Sequence, residues 1–260
     1  MESQTPIPPT AAVRHPQSPI PHKTALVTGG GSGIGQGVAL ALAQAGCRVA
    51  ICGRNAEKLA ATIAKQTCEP VIISRVCDMV DRRDVQHLVS WAIGHLGPLD
   101  IVVNSAGINV ARRKMVELDP HDFDRIMATN CTGLYNLLHA VLPGMRQNRG
   151  GLIVNIASVA GKRALPVAGP AYCASKFAST ALATAVGQEE RANGIRVTNI
   201  HPGEVDTPIL DQRAVPPPAE RRAQMVHPAD IGQCVVALAG LPAHVVVPEL
   251  IITPTYQEFF

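Results

Sequence analysis

The chain has 260 residues, of which 47% are hydrophobic and 3% aromatic, and its formal net charge is +3. This length suits one large α/β domain better than two small ones, with a core of Ala, Val, Leu and Ile. The small charge, without a long Lys/Arg run, argues against nucleic acid as the main partner. No apolar run approaches the ~20 residues of a membrane span. We therefore expect a cytoplasmic protein that neither binds nucleic acid nor crosses a membrane.

Cysteine and histidine usage argues against a metal site. The seven cysteines contain no C-x-x-C pair, which favours a reducing compartment over disulfides or structural zinc. The nine histidines show no metal-ligand spacing, so we predict no metal. Residues 1–22 carry six prolines and no apolar signal core, and they are interpreted as a disordered leader.

Short apolar runs and helical patterns alternate along the rest of the chain. The predicted strands are 23–28, 48–52, 71–77, 99–103, 152–157, 195–200 and 249–252. The predicted helices are 38–45, 55–66, 81–96, 119–148, disturbed at Pro143, then 171–192 and 228–240. This order predicts one α/β domain over 23–257, a Rossmann-type doubly wound parallel sheet of about seven strands with helices on both faces.

The first strand runs directly into a loop with six glycines in nine residues, from Gly29 to Gly37. A glycine loop between a strand and a helix lets the backbone approach a pyrophosphate at the helix N-terminus. The spacing differs from G-x-G-x-x-G, and no lysine follows as a P-loop requires. A glycine-rich turn without a ligand remains the alternative at this point.

Residues that follow the next strands bear on the choice of cofactor. Arg54 follows strand two where an acid would bind a ribose 2′-hydroxyl, and its fork suits a 2′-phosphate, so NADP is favoured over NAD. The alternative is an ordinary surface arginine. Asp78 could accept a hydrogen bond from adenine, with Met79 offering its N–H, or could be a turn residue. The 104–107 turn either runs under a ligand or simply closes a strand.

Three further residues form a constellation suited to proton transfer. Ser158 follows strand five, and Tyr172 and Lys176 lie four residues apart on one predicted helix face. A fixed ammonium would lower the pKa of a tyrosine, ordinarily about 10, while a serine holds the substrate oxygen. A single Tyr-x-x-x-Lys is common by chance, so it indicates an active site only together with other motifs.

Together these stretches resemble the short-chain dehydrogenase/reductase family over about residues 22–253. The matching motifs are Thr28-Gly29-x-x-x-Gly33-x-Gly35, Asn104-Ser-Ala-Gly107, Asn130, Ser158, Tyr172-x-x-x-Lys176 and Pro202-Gly203-x-Val205-x-Thr207. The resemblance implies hydride transfer between a nicotinamide cofactor and a small carbonyl or alcohol substrate. Departures from the usual pattern are Ser105 after Asn104, Ser32 where a basic residue is common, and a C-terminus without paired glycines.

The family pattern also implies a role for each matched residue. Tyr172 would be the general acid/base, Lys176 would lower its pKa and hold the nicotinamide ribose, Ser158 would orient the substrate oxygen, and Asn130 would anchor a proton-relay water. Implied cofactor contacts are Gly29, Gly31, Ser32, Gly33, Ile34 and Gly35 at the phosphates, Asn104, Ala106 and Gly107 beside the adenosine, and Pro202, Gly203, Val205 and Thr207 at the carboxamide.

Substrate and assembly are less closely specified. The ending 244–257 resembles the branch of 3-hydroxy acid and serine dehydrogenases, and 206–226 is expected to be a substrate lid. Arg213, Arg221, Arg222, Lys162 and Arg163 would suit an anionic substrate, although solvation accounts for most of them, and 112–114 is interpreted as a solvated loop. The family resemblance also suggests a homodimer or homotetramer formed through the two long helices, 119–148 and 170–192. The alternatives are an NAD-preferring dehydrogenase, a cofactor-binding regulator, and an epimerase or dehydratase.

Overall fold

A computed structural model describes residues 20–213 and 215–259. Most of the predicted leader, residues 1–19, lies outside this part of the chain. The last leader residues, 20–22, are packed against the domain, which contradicts their assignment to a disordered segment. Ile20 is buried in the core, and the His22 N–H donates to the Gly46 carbonyl at 3.1 Å. One apolar side chain that fits a core site is enough to fix these residues.

Seven parallel strands form one sheet in the order β3-β2-β1-β4-β5-β6-β7, which confirms the predicted fold. The strands are β1 Thr24–Thr28, β2 Arg48–Gly53, β3 Ile73–Val76, β4 Ile101–Asn104, β5 Gly151–Ile156, β6 Ile195–Pro202 and β7 Glu249–Ile252. The central strands are buried on both faces, as their continuous apolar runs require. The order reverses between β1 and β4, the point at which ligands bind in such sheets.

Helices cover both faces of the sheet. They are α1 Gly33–Gln44, α2 Ala56–Ala64, α3 Arg82–Leu96, α4 Pro120–Met127, α5 Gly133–Gln147, α6 Pro170–Glu189, α7 Ala219–Arg222 and α8 Pro228–Gly240. Two apolar clusters fill the space on either side, one beneath α1 and α8 and the other beneath α3, α5 and α6. Asn55 and Asp81 cap α2 and α3 as the sequence predicts.

The long predicted helix is interrupted, but not at Pro143. Helix α5 continues through Pro143. Proline has no N–H, so the His139 carbonyl loses its hydrogen bond within the helix, but both residues are exposed and water can bond to this carbonyl instead. The interruption is a π turn, Ala128–Thr132, between α4 and α5. Such turns shift the helix register by one residue and often lie at functional sites. Here the turn contains Asn130, which is buried.

Buried asparagines join the carboxyl-terminal ends of three neighbouring strands. Asn104, Asn155 and Asn199 are register partners on β4, β5 and β6. The Asn104 amide donates to Asn155 at 3.0 Å, and the Asn155 amide donates to Asn199 at 2.9 Å. Thr28 donates to Asn104 at one end, and Asn199 donates to Thr184 at the other. This row of side chains fixes the strand ends that carry the site described next.

Candidate active site

A cavity of about 650 Å³ opens at the carboxyl ends of the strands. It extends from the glycine loop, past the start of α6, to the segment before α8. Thirteen predicted site residues line it: Gly29, Ser32, Gly33, Ile34, Ala106, Gly107, Ser158, Tyr172, Lys176, Pro202, Gly203, Val205 and Thr207. The chain thus brings residues from five separate segments to one concave surface.

Close backbone packing shapes the glycine end of the cavity. Gly29 has φ +67°, and a Cβ there would lie 2.9 Å from the Ala106 nitrogen and the Ser105 carbonyl oxygen. A Cβ on Gly35 would lie 2.3 Å from the Gly29 carbonyl oxygen. Both positions therefore require glycine, because any side chain would separate the loop from the 105–106 turn or from α1.

The N-terminus of α1 faces this end of the cavity and suits a phosphate. Its first turn has no acidic residue, and Ser32, the N-cap, makes no side-chain hydrogen bond to the helix. The first N–H groups and the positive end of the helix dipole are therefore available to an anion. These features fit the pyrophosphate of a dinucleotide.

The other predicted residues lie behind the cavity wall or outside it: Gly31, Gly35, Arg54, Asp78, Met79, Asn104 and Asn130. Arg54 is exposed just after β2, and no described residue bonds to its guanidinium. Gly31 packs beside Lys58, whose Cβ would lie 3.1 Å from a Cβ at position 31. No sequence motif marks Lys58, which lies four residues after Arg54 on α2.

Hydrogen bonds within the protein engage Asp78, Met79 and Asn104. The Asp78 carboxylate accepts from the Val80 N–H at 3.0 Å, which makes it a turn residue, and its adenine contact stays a prediction. Met79 is buried, and its carbonyl accepts from Asn136. The amide of Asn104 belongs to the asparagine row, so this side chain supports the wall from behind.

Asn130 reaches the base of the cavity through the π turn. Its Oδ1 accepts from the Ile108 N–H at 2.8 Å, and its Nδ2 donates to the Ile108 carbonyl at 3.0 Å and to Ser175 Oγ at 2.9 Å. Both amide hydrogens are thus occupied. The side chain holds the 105–109 segment against α6, and its role with a relay water stays a prediction.

Ser158 is fixed from two sides. Its Oγ accepts from the Ala160 N–H at 3.1 Å, which leaves its own hydroxyl hydrogen able to point into the cavity. Behind it, His201 Nδ1 lies 3.0 Å from the Ser158 carbonyl oxygen, so this nitrogen carries the proton. His201 is fully buried, and its Nε2 has no hydrogen-bond partner among the described residues, with Glu249 Oε1 3.9 Å away. No motif in the sequence marks this histidine.

Tyr172 and Lys176 share one face of α6, as their spacing predicts. Lys176 is buried, and its ammonium donates to the Ile156 carbonyl at 2.9 Å and lies 5.7 Å from the centroid of the Tyr172 ring. The turn Val159–Gly161 packs tightly on α6, since a Cβ on Gly161 would lie 2.7 Å from the Lys176 carbonyl oxygen. This contact brings Ser158 to the two helix residues.

Burial shifts the pKa values of Tyr172 and Lys176 in opposite directions. Burial raises the pKa of Tyr172 to about 12, although the Ser158 side chain and the charge of Arg113 act to lower it. Burial lowers the pKa of Lys176 to about 8. Desolvation of the phenolate is the largest effect on the pKa of Tyr172, and the ammonium of Lys176 bonds to the Ile156 carbonyl. That the lysine lowers the pKa of the tyrosine stays a prediction.

The cations expected to attract an anionic substrate are mostly paired with carboxylates. Glu204 accepts from Arg213 at 3.0 Å and from Arg221 at 2.8 Å. Arg222 pairs with Asp206 and Asp211, and Lys162 pairs with Glu249. In contrast, Arg113 is only half-exposed and lines the cavity, so the interpretation of 112–114 as a solvated loop is wrong at this residue.

Comparison with known proteins decides the family. The family model described as short chain dehydrogenase matches residues 23–215. The chain belongs to the short-chain dehydrogenase family. It is 33% identical over 232 residues to an uncharacterised oxidoreductase of Staphylococcus aureus, covering 89% of this chain and 97% of that protein. These similarities make it an oxidoreductase of this family.

Other similarities are broad and do not single out a branch. The chain is 35% identical over 245 residues to glycine betaine reductase ATRR of Emericella nidulans, which covers 92% of this chain but only 19% of that longer protein. Its fold matches serine dehydrogenase complexed with NADP+ at a TM-score of 0.83 and 27% identity, over 91% of this chain and 96% of the other. Further similar structures contain NADPH or NADH. They support a nicotinamide cofactor for this chain and do not distinguish NADP from NAD. The C-terminal branch stays a prediction.

Three further observations concern metals, thiols and membranes. Across 20–213 and 215–259, no group of three His, Cys, Asp or Glu side chains is placed to hold a metal ion. All seven cysteines are free thiols. No helix in the described ranges is long and apolar enough to cross a bilayer.

The position of His201 predicts a pH-dependent stability. Burial lowers its pKa below the ordinary 6.5, and Lys162 and Lys176 also lower it, whereas the Ser158 carbonyl and Glu249 raise it. The unfolded chain therefore binds this proton more readily, so stability falls as the pH drops below about 6.5. His201→Asn, which keeps a donor for Ser158 without titrating, should flatten this slope by at most about 1.4 kcal/mol per pH unit.

Urea unfolding at several pH values between 5 and 7.5 would measure this effect. His244→Asn is the control, because His244 is exposed. Parallel stability profiles for His201→Asn and the wild type would contradict the prediction.

Proposed function

We propose that the chain is an NADP(H)-dependent oxidoreductase that transfers a hydride between the nicotinamide and a small carbonyl or secondary alcohol. The supporting observation is the convergence of Ser158, Tyr172 and Lys176 on one cavity wall, at the opposite end from a glycine loop suited to phosphate. The bound cofactor would supply the hydride to the substrate carbon. The protein's own residues have to supply orientation and a proton.

Proton transfer is assigned to Tyr172. With a pKa of about 12, its phenol is protonated at neutral pH and can donate to the substrate oxygen as the hydride reaches the carbon. The Ser158 hydroxyl donates a hydrogen bond to the same oxygen and stabilises its developing negative charge. Lys176, anchored on the Ile156 carbonyl, has two remaining N–H groups for the ribose of the cofactor.

Replacing Tyr172 tests this assignment. Tyr172→Phe should lower kcat for carbonyl reduction by about 10²–10⁴-fold, the usual range for a lost general acid, while NADPH binding persists. The measurement is the initial rate of NADPH oxidation over a panel of oxo acids, aldehydes, diketones and ring ketones. Tyr135→Phe, on the exposed side of α5, is the control.

The panel also separates the proposed enzyme from a cofactor-binding regulator. NADPH binding by the wild type with no turnover of any panel member would favour the regulator. Equal rates for Tyr172→Phe and the wild type would contradict the role of the tyrosine.

The preference for NADP rests on positive charge after β2. Arg54 and Lys58 are both exposed there, and Lys58 packs beside Gly31 of the glycine loop. The nearest carboxylate in the sequence is Glu57, and neither cation has an ion-pair partner among the described residues. A guanidinium and an ammonium suit a ribose 2′-phosphate, whereas NAD selection needs an acid at this place.

Arg54→Ala is therefore expected to raise the KM for NADPH about 10–100-fold, the range for a lost charged hydrogen bond, and to affect NADH far less. Steady-state kinetics with each cofactor measure the change. Arg149→Ala, just before the amino end of β5, removes the same charge at an exposed site away from the loop. Equal losses with both cofactors would contradict a 2′-phosphate contact.

We propose that the protein forms a homodimer or homotetramer through α4, α5 and α6. Phe123, Tyr135 and Phe177 each expose about 40% of their surface on these helices. Light scattering after size exclusion should give the mass of two or four chains, and Phe177→Glu should reduce it. Val76→Glu, an equally exposed site on β3, should leave the mass unchanged. A monomeric wild type would contradict the proposal.

A further inference from the structure

The substrate end of the cavity contains a cation that no carboxylate neutralises. Arg113 lies on the cavity wall, and its guanidinium donates only to the carbonyl oxygens of Val167 at 3.4 Å and Gln212 at 3.3 Å. Both hydrogen bonds are long, and three of its five N–H groups have no partner in 20–213 or 215–259. A half-buried guanidinium in this condition is poorly solvated and is able to bind an anion.

The other charges of the cavity leave an excess of positive charge. The charged residues that line it are Arg113, Lys176, Arg213, Arg221, Glu204 and Glu258. Glu204 is fully engaged, because it accepts from Arg213, Arg221 and the Tyr256 hydroxyl. Glu258 is exposed at the rim. The cavity lining thus contains four cations and two carboxylates. Arg213 and Arg221 pair with Glu204, whereas Arg113 pairs with neither carboxylate.

The backbone holds Arg113 in a fixed relation to the reacting groups. Gly169 has φ +83°, and a Cβ there would lie 2.6 Å from the Arg113 carbonyl oxygen. Gly169 immediately precedes Pro170, the first residue of the helix that carries Tyr172. The two carbonyls that Arg113 bonds belong to the 159–169 loop and to the lid. Arg113 therefore joins three segments that surround the substrate space.

Electrostatics agree with this placement. Burial and the charge of Arg213 both lower the pKa of Arg113, and the charge of Arg113 acts to lower the pKa of Tyr172. Two guanidiniums that repel each other in a partly buried site are both stabilised by an anion between them. The same anion would thus lie within reach of the proton-donating end of the cavity.

We propose that Arg113, with Arg213 beside it, binds the carboxylate of the substrate, so that the enzyme acts on small oxo acids and hydroxy acids. This inference rests on the proposed hydride-transfer function and assigns its substrate class. The planar fork of a guanidinium matches a carboxylate through two parallel hydrogen bonds. The apolar side chains of Leu165, Val167, Ile209 and Leu210 line the space around it, and they suit a short carbon chain.

The test compares an anionic substrate with a neutral one and a cationic one. Wild-type enzyme with NADPH is assayed on a 3-oxo acid, on its methyl ester and on a trimethylammonium aldehyde. The wild type should prefer the acid. Arg113→Gln should raise the ratio of acid KM to ester KM about 10–100-fold, as expected for a lost charged hydrogen bond. Arg113→Lys should restore part of the preference, and Arg112→Gln, a change at an exposed neighbour, should leave the ratio as in the wild type.

A second measurement does not depend on turnover. Calorimetric titration of short carboxylates into the enzyme with NADP+ should show binding by the wild type and by Tyr172→Phe, but not by Arg113→Gln. Carboxylate binding without turnover would contradict the hydride-transfer function and leave the anion site supported. Turnover of the ester or the cationic aldehyde with no preference for the acid would overturn the carboxylate anchor alone. Tighter binding of inorganic phosphate than of carboxylates would also overturn it, since it would assign the site to a phosphate group.

Discussion

The cavity depends on a row of buried polar side chains that joins the strand ends. Thr28, Asn104, Asn155 and Asn199 are hydrogen-bonded to one another across four neighbouring strands. The Thr28 hydroxyl also accepts from the Ser105 and Ala106 N–H groups at 3.1 Å. Buried polar groups without partners are costly, so only the native register satisfies the whole row. The register in turn fixes where the loops after β4, β5 and β6 begin, and these loops form the cavity wall.

Tight backbone contacts then set the distances between the loops. Gly29 allows the first loop to touch the 105–106 turn, and Gly161 allows the turn after Ser158 to touch the helix that carries Lys176. The π turn adds one residue before α5, which turns Asn130 inward to bond Ile108 and Ser175. None of these contacts involves a reacting group. They hold in place the segments that carry the hydroxyl, the phenol and the ammonium.

The sequence predicts features that depend on local pattern. Apolar runs give the sheet, and the capping residues Asn55 and Asp81 give the starts of α2 and α3. The bounds Pro228–Gly240 and Glu249–Ile252 agree with the predicted ones. The π turn was not predictable in this way, because its residues continue a helical pattern and only tertiary bonds of Asn130 favour the extra residue. The pairing of charges was equally hidden, because the sequence does not show that Arg213 rather than Arg113 lies near Glu204 once the chain has folded.

The pKa values of Tyr172 and Lys176 could not be predicted from their spacing in the sequence alone. The spacing of Tyr172 and Lys176 suggests a pair in which the cation favours phenolate. Burial instead favours the neutral form of both groups, since it raises the pKa of the phenol to about 12 and lowers that of the ammonium to about 8. A protonated phenol is the form that carbonyl reduction requires, because the substrate oxygen must gain a proton. A phenol with the ordinary pKa of about 10 is already protonated at neutral pH, and desolvation favours this form of Tyr172 further. The Lys176 ammonium lines the cavity and has one N–H fixed on the Ile156 carbonyl.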